Sequence, residues 1–276
     1  PGFGVSHAFM GYYYVRVEGR LDLGIDWLRQ AVEIDPDNPD RYAELSLFFS
    51  GLVDDAQAKC WADQDRKRGS ATPFTNLSLS VSTLQSGDAE AAETYARATL
   101  ENNWILFTKT IPLAIIKNQL QHDGQLEEAL VLYETHFPEL LTASPGTFNR
   151  NNFKAAVDLA HLLKSMGRQA DAEQLLDGAW SYIQGIPRLG ETGSWVDDVR
   201  IHTLRGETEL ALTALSDAVQ AGWRHYWRYY LEHDPILEPL RGEPRFQAAV
   251  DEIRSDMAEQ LDRVNSKSYD FGLCND

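Results

Sequence analysis

Five side-chain groupings in this 276-residue chain are of types that could do chemistry: His122-Asp123, Asp197-Asp198, Arg66-Lys67-Arg68, the pair Cys60 and Cys274, and the aromatic run Trp223, Tyr226, Trp227, Tyr229 and Tyr230. His122-Asp123 is half of a metal-phosphohydrolase pair. Metal sites need three or four convergent ligands, however, and the seven histidines are scattered. Adjacent carboxylates such as Asp197-Asp198 point to different faces of a helix, which is poor geometry for sharing a proton. Arg66-Lys67-Arg68 falls at a predicted helix end, where cations complement the dipole. Two cysteines make neither a metal cage nor a disulfide framework, and they read as unpaired thiols, one packed and one in a tail. No phosphate loop, GxGxxG, HExxH or GxSxG occurs, so neither catalysis nor a cofactor is expected. The aromatic run reads in two ways. It is either a cage for a ligand or large-side-chain filler beneath a closing helix.

The bulk numbers narrow the partners. Hydrophobic residues make up 43% of the chain, enough for a sizeable core. The 25 Lys and Arg against 42 Asp and Glu give a net charge of −17, which repels phosphate backbones, so nucleic acid is not an expected partner. No apolar run approaches the roughly 18 residues that span a bilayer, so no membrane contact is expected of this segment.

The elements that position these residues follow from an internal repeat. Six turns begin with glycine, at Gly19, Gly51, Gly87, Gly124, Gly167 and Gly206, with spacings of 32, 36, 37, 43 and 39 residues. Five residues after each stands a small residue: Gly24, Ala56, Ala92, Ala129, Ala172 and Ala211. The glycine closes one helix in left-handed geometry, and the small residue lets the next helix cross it closely. Acidic residues such as Asp22, Asp54, Asp88 and Glu127 crowd the start of the second helix, where its dipole is positive. The pattern predicts six antiparallel helix pairs over 1–222, a closing segment with a capping helix over 223–264, and a polar tail over 265–276. In that capping helix, Phe246, Ala249, Val250, Ile253, Met257 and Leu261 recur at helical spacing.

Met10-Gly11-x-x-Tyr14, Gly19, Ala31 and Asp35-Pro36-Asp37-Asn38-Pro39 resemble the tetratricopeptide signature. The resemblance implies an all-α, right-handed superhelix. By the same spacing Pro1 matches the hinge proline of a preceding repeat, which implies a chain starting inside a longer protein. The hinge proline is absent from later units, at Arg68, Trp104, Leu141, Gln184 and Trp223. The run from Ala218 to Arg224, followed by Asp234-Pro235-x-Leu237-x-Pro239-Leu240-Arg241 and Pro244-Arg245-Phe246, is similar to the end of repeat domains on bacterial signalling proteins. Those include adenylate cyclases and membrane-anchored winged-helix regulators of the cadaverine-operon activator kind. A membrane-anchored parent implies a periplasmic domain, and a cyclase without an anchor a cytoplasmic one.

In that fold the first helices of successive pairs line a concave groove. The later repeats would place Asn118, Gln121, His122, Lys154, His161, Lys164 and Arg200 there. The earlier ones would place Leu45, Phe48, Phe49, Phe74, Leu77 and Val81. A basic half-groove on an acidic chain points to an acidic or C-terminal carboxylate partner, a protein or peptide held by lysine and arginine. Ordinary solvated charges are the other reading. A third expectation, of a different class, is a small-molecule sensor with a pocket near Trp223, Tyr226, Trp227 and Tyr230.

Overall fold

The computed structural model describes residues 3–69, 73–101, 109–142, 147–267 and 273–274. Pro1, Trp104, the Phe74 side chain and most of the tail lie outside them. The chain is all-helical, with no strand among the described residues. Six consecutive pairs pack closely: α1 (Phe3–Val17) on α2 (Leu21–Ile34), α3 (Asp40–Gly51) on α4 (Asp55–Lys67), and α5 (Pro73–Gln85) on α6 (Ala89–Glu101). They continue as α7 (Thr110–His122) on α8 (Leu126–His136), α9 (Phe153–Ser165) on α10 (Gln169–Ile183), and α11 (Asp197–Leu204) on α12 (Thr208–Gln220). A single 22-residue helix, α13 (Pro244–Asn265), follows.

The turns are built as their glycines require. Gly124 holds φ of 76°, and the next N–H, of Gln125, donates to Leu120 O at 2.8 Å, closing the last turn of α7. Gly87, Gly167 and Gly206 repeat this arrangement. The second turn departs from the sequence reading. Its left-handed residue is Val53 (φ 63°), and Asp54 N–H donates to Phe49 O at 3.0 Å. Gly51 instead ends α3, where a Cβ would stand 2.6 Å from the Leu21 side chain. The small residue shifts with the turn: Ala58 is buried and Ala56 exposed. Counted at the left-handed residue, Gly19 to Val53 and Val53 to Gly87 are each 34 residues. The other crossings hold Ala92, Ala129, Ala172 and Ala211, each with no exposed surface. Acidic caps close helix starts, as Asp54 accepts from Gln57 N–H and Asp88 from Ala91 N–H, both at 3.0 Å.

The odd-numbered helices from α3 to α11 pack one on the next and form a common face. Residues 223–240 cover it. Trp227 Nε1 donates to Gly51 O at 2.8 Å, and Arg228 donates to Ser50 O at 2.8 Å and Gln85 O at 2.9 Å, which ties the ends of α3 and α5 together. The apolar side of α13 is buried, but against two helices: α12 of the last pair and α2 of the first. Gln260 donates to Gly19 O and accepts from Asp22 N–H, and Arg263 reaches Asp22 at 2.7 Å. Gly19 and Gly222 approach so closely that a Cβ on Gly19 would meet Gly222 O at 2.2 Å. The first and last pairs therefore touch, and the chain closes on itself.

That closure corrects the reading of the cysteines. Cys60 on α4 and Cys274 near the chain end form a disulfide across 214 residues of sequence, with Gln57 Nε2 donating to Cys274 O at 2.8 Å. No local spacing signals such a pair, because only the return of the chain end brings the two sulfurs together. Among the described residues no helix is long and apolar enough to cross a membrane.

Candidate functional site

The basic stripe expected along the later repeats is a buried, charge-balanced network. Arg200, only 1% exposed, donates to three carboxylates: Nε to Asp234 at 2.7 Å, one terminal nitrogen to Asp197 at 2.9 Å and the other to Asp158 at 2.5 Å. Burial opposes the guanidinium charge, but the three carboxylates outweigh it and hold its pKa well above the ordinary value. Lys154 Nζ sits 2.5 Å from Asp197, and the wholly buried Lys117 lies 3.1 Å from His161 Nδ1. Burial pushes Lys117 down to about 8 and His161 down to about 2, the latter helped by Lys117 and Arg200. His161 is thus neutral, with Nδ1 accepting from the Lys117 ammonium and the ring proton on Nε2. Three cations, Lys117, Lys154 and Arg200, face Asp158, Asp197 and Asp234.

The remaining residues of the stripe are also engaged or dispersed. Lys164 pairs with Glu173 and donates to Leu204 O. Gln121 donates to Ser165 Oγ at 3.0 Å, Asn118 is half-buried, and His122 is exposed beside Asp123. The apolar half-groove is corrected as well: Leu45, Phe48, Phe49, Leu77 and Val81 are core residues with at most 9% exposure. Of the aromatic run, Trp223, Trp227 and Tyr230 are buried filler. Tyr226 borders a cavity.

That cavity lies where α1 meets the 186–196 loop. Its inner lobe, about 50 Å³, is bounded by Tyr12 and Arg16 of α1, Leu77 and Ser78 of α5, Thr110 and Ile111 of α7, Arg150 and Lys154, Glu191, Thr192 and Trp195 of the loop, and His225 and Tyr226. A neighbouring pocket of about 380 Å³, termed the outer lobe, shares the lining residues Tyr12, Arg16 and Glu191 and adds Val5, Ala8 and Phe9 of α1 with Asp40, Arg41 and Glu44 of α3. The outer lobe's volume is within the range of small-molecule sites, and the inner lobe holds no more than a small polar group.

Local structure builds this wall at a cost. Trp195 and Tyr226 both hold left-handed backbone, φ 50° and 56°, which costs a bulky residue on the order of 1–3 kcal/mol. The loop is braced around them. Trp195 Nε1 donates to Gly190 O at 2.9 Å, Gly190 N–H donates to Arg16 O at 2.9 Å, and Arg188 reaches Trp195 O at 2.8 Å while pairing with Asp198. Gly193 permits the tight turn, since a Cβ there would meet Arg188 O at 2.3 Å. The Trp195 ring packs edge-on to His225 with centroids 5.3 Å apart, and Lys154 Nζ lies 4.0 Å over it.

Two nitrogens at this wall are unused. Arg16 pairs with Glu191, yet its buried Nε has no hydrogen-bond partner among the described residues, and neither has His225 Nε2. His225 is 3% exposed, and burial followed by the Arg16 and Lys154 charges pushes its pKa well below the ordinary value, so the ring is neutral. Arg150, exposed at the rim, makes no ion pair among the described residues. Sequence reasoning missed Arg16, Trp195 and His225. The one local signal was Gly190 and Gly193 flanking an isolated tryptophan. Among the described residues no cluster of His, Cys, Asp and Glu could hold a metal. Comparison of the chain with protein-family models and with curated proteins gives no match to either.

Proposed function

We propose that this chain is a non-catalytic sensory domain of tetratricopeptide type, a right-handed superhelix closed by its own end, within a larger bacterial signal-transduction protein, and that it binds a small molecule. The 34-residue separations between Gly19, Val53 and Gly87 support the repeat type. The observation that carries the sensor reading is the occupancy of the odd-helix face by residues 223–240, held by Trp227 and Arg228. A peptide seeking Lys154 or Arg200 would have to displace Asp197, Asp158 and Asp234. The cavity beside Tyr226 is where space and unused donors coincide. The Cys60–Cys274 bond supports a periplasmic domain with a membrane-anchored regulator as parent, because such bonds persist in oxidising compartments.

A protein-binding reading draws on one observation: Phe9, Tyr13 and Met10 of α1 are 70, 46 and 37% exposed. A thermal-shift screen of chemically mixed small molecules on wild type and on Ala8→Trp, which fills the outer lobe, separates the two. Compounds that raise Tm only in wild type are expected. A protein partner retained equally by Ala8→Trp, with no compound shifting either protein, would return the function to a protein-binding surface.

A further inference from the structure

We propose that the cavity beside Tyr226 takes a small organic anion with an apolar tail, its carboxylate in the inner lobe and its tail along α1. This rests on the sensor reading above and adds the ligand's chemical class.

The inner end supplies what a carboxylate needs. Arg16 pairs with Glu191 and Lys154 with Asp197, so Arg150 is the unbalanced charge at this end and makes it cationic by one in a chain of net charge −17. Arg16 Nε–H lies in that wall with no hydrogen-bond partner among the described residues and with essentially no surface open to the cavity. His225 Nε2 is a second unpartnered nitrogen at the same wall, and the neutral ring donates through it in one tautomer. A carboxylate there gains a charge-assisted bond from Arg150 at the rim. A cation would meet the like charge of Arg150.

The outer lobe supplies the tail. Val5, Ala8 and Phe9 lie one helical turn or one residue apart on α1, so they present one apolar strip leading to Tyr12 and Arg16. The charges across from it on α3 are largely spent on each other, with Arg41 donating to both Glu44 oxygens at 2.7 and 2.9 Å. Asp40 borders the same lobe and disfavours a second anionic group on the tail. The ligand is therefore polar at one end. The aromatic rings of Tyr12, Trp195 and Tyr226 flank the junction of the lobes and suit either an aliphatic or an aryl chain.

Titration calorimetry with sodium octanoate, phenylacetate, acetate, octanol and octylamine, on the intact oxidised chain, tests this. Octanoate or phenylacetate is expected to bind saturably, with acetate, octanol and octylamine at least about tenfold weaker. Arg150→Glu reverses an exposed charge that has no ion-pair partner among the described residues, so the fold should survive, and it is expected to weaken the carboxylates at least tenfold. Ala8→Trp is expected to block them by volume alone, and near-UV dichroism verifies folding of both variants. Failure of both carboxylates to bind, or their unchanged affinity in folded Arg150→Glu, overturns the inference. Octanol or octylamine binding in their place, and blocked by Ala8→Trp, would leave the sensor reading standing and sink only the anion. Binding of every probe unaffected by Ala8→Trp would sink both.

Discussion

Arg200 and Arg16 are both arginines on odd-numbered helices, and they have opposite situations. Arg200 spends its three nitrogens on three carboxylates and is only 1% exposed. Arg16 has one carboxylate, an idle Nε and open space beside it. The difference teaches how to read a buried cation. One fully satisfied by its own chain holds the fold, because removing it strands the charges around it. One left partly unsatisfied beside a braced void strands no network when it is removed, and it is where a ligand is proposed to sit.

The largest effect tests the frame that both arginines share. Ala129→Glu or Ala172→Glu puts a charge at a helix crossing with no exposed surface, and either is expected to abolish cooperative unfolding in urea. A variant that melts like wild type would mean the crossings are not where the turns place them. Arg200→Met comes next. It leaves Asp158, Asp197 and Asp234 against Lys117 and Lys154 alone, for an expected loss of about 3–5 kcal/mol. The same change at Arg16 is expected to cost within about 1 kcal/mol yet remove carboxylate binding. Equal losses at the two sites would erase the contrast. Reducing Cys60–Cys274 should lower stability by about 2–5 kcal/mol, read as a shift of the urea midpoint under reductant.

The remaining effects are pH-dependent. Lys117 is held at about 8 in the fold against 10.5 ordinarily, so between those values the unfolded chain binds more protons. Its burial penalty is thus fully present below pH 8 and is relieved as pH rises. Wild type should gain stability relative to Lys117→Met between pH 8 and 10, by roughly 1–3 kcal/mol. Asp65 has the reverse sign. Burial, and then the Asp40 charge, raise it to about 7 against the pull of Thr75 and Arg68. The folded chain therefore binds the extra proton between pH 3.8 and 7, and stability falls as pH rises through that window. Asp65→Asn should flatten that fall in denaturation midpoints taken across the range.

Residue order by itself determined the helices and their pairing pattern. A left-handed turn, a small residue at the crossing and an acidic helix start are local requirements, legible at Gly124, Ala129 and Glu127 without knowing what lies across the fold. The same reading misplaced one turn, because Gly51 had a second reason to be glycine: Leu21 packs against it, and its carbonyl takes the Trp227 proton. The burial of Trp223 and Trp227 was also open to sequence, as one of two readings of the aromatic run.

Tertiary structure alone decided the rest, since it depends on residues far apart in the chain. Asp234 neutralises Arg200, Gln260 bonds Gly19 and Asp22, and Cys274 finds Cys60 because the chain end returns to its beginning. No periodicity encodes that return. The cavity belongs to the same class: Arg16, Trp195 and His225 meet where α1, a braced loop and the closing segment converge. Which partners each charge has was decided by what that convergence left within reach.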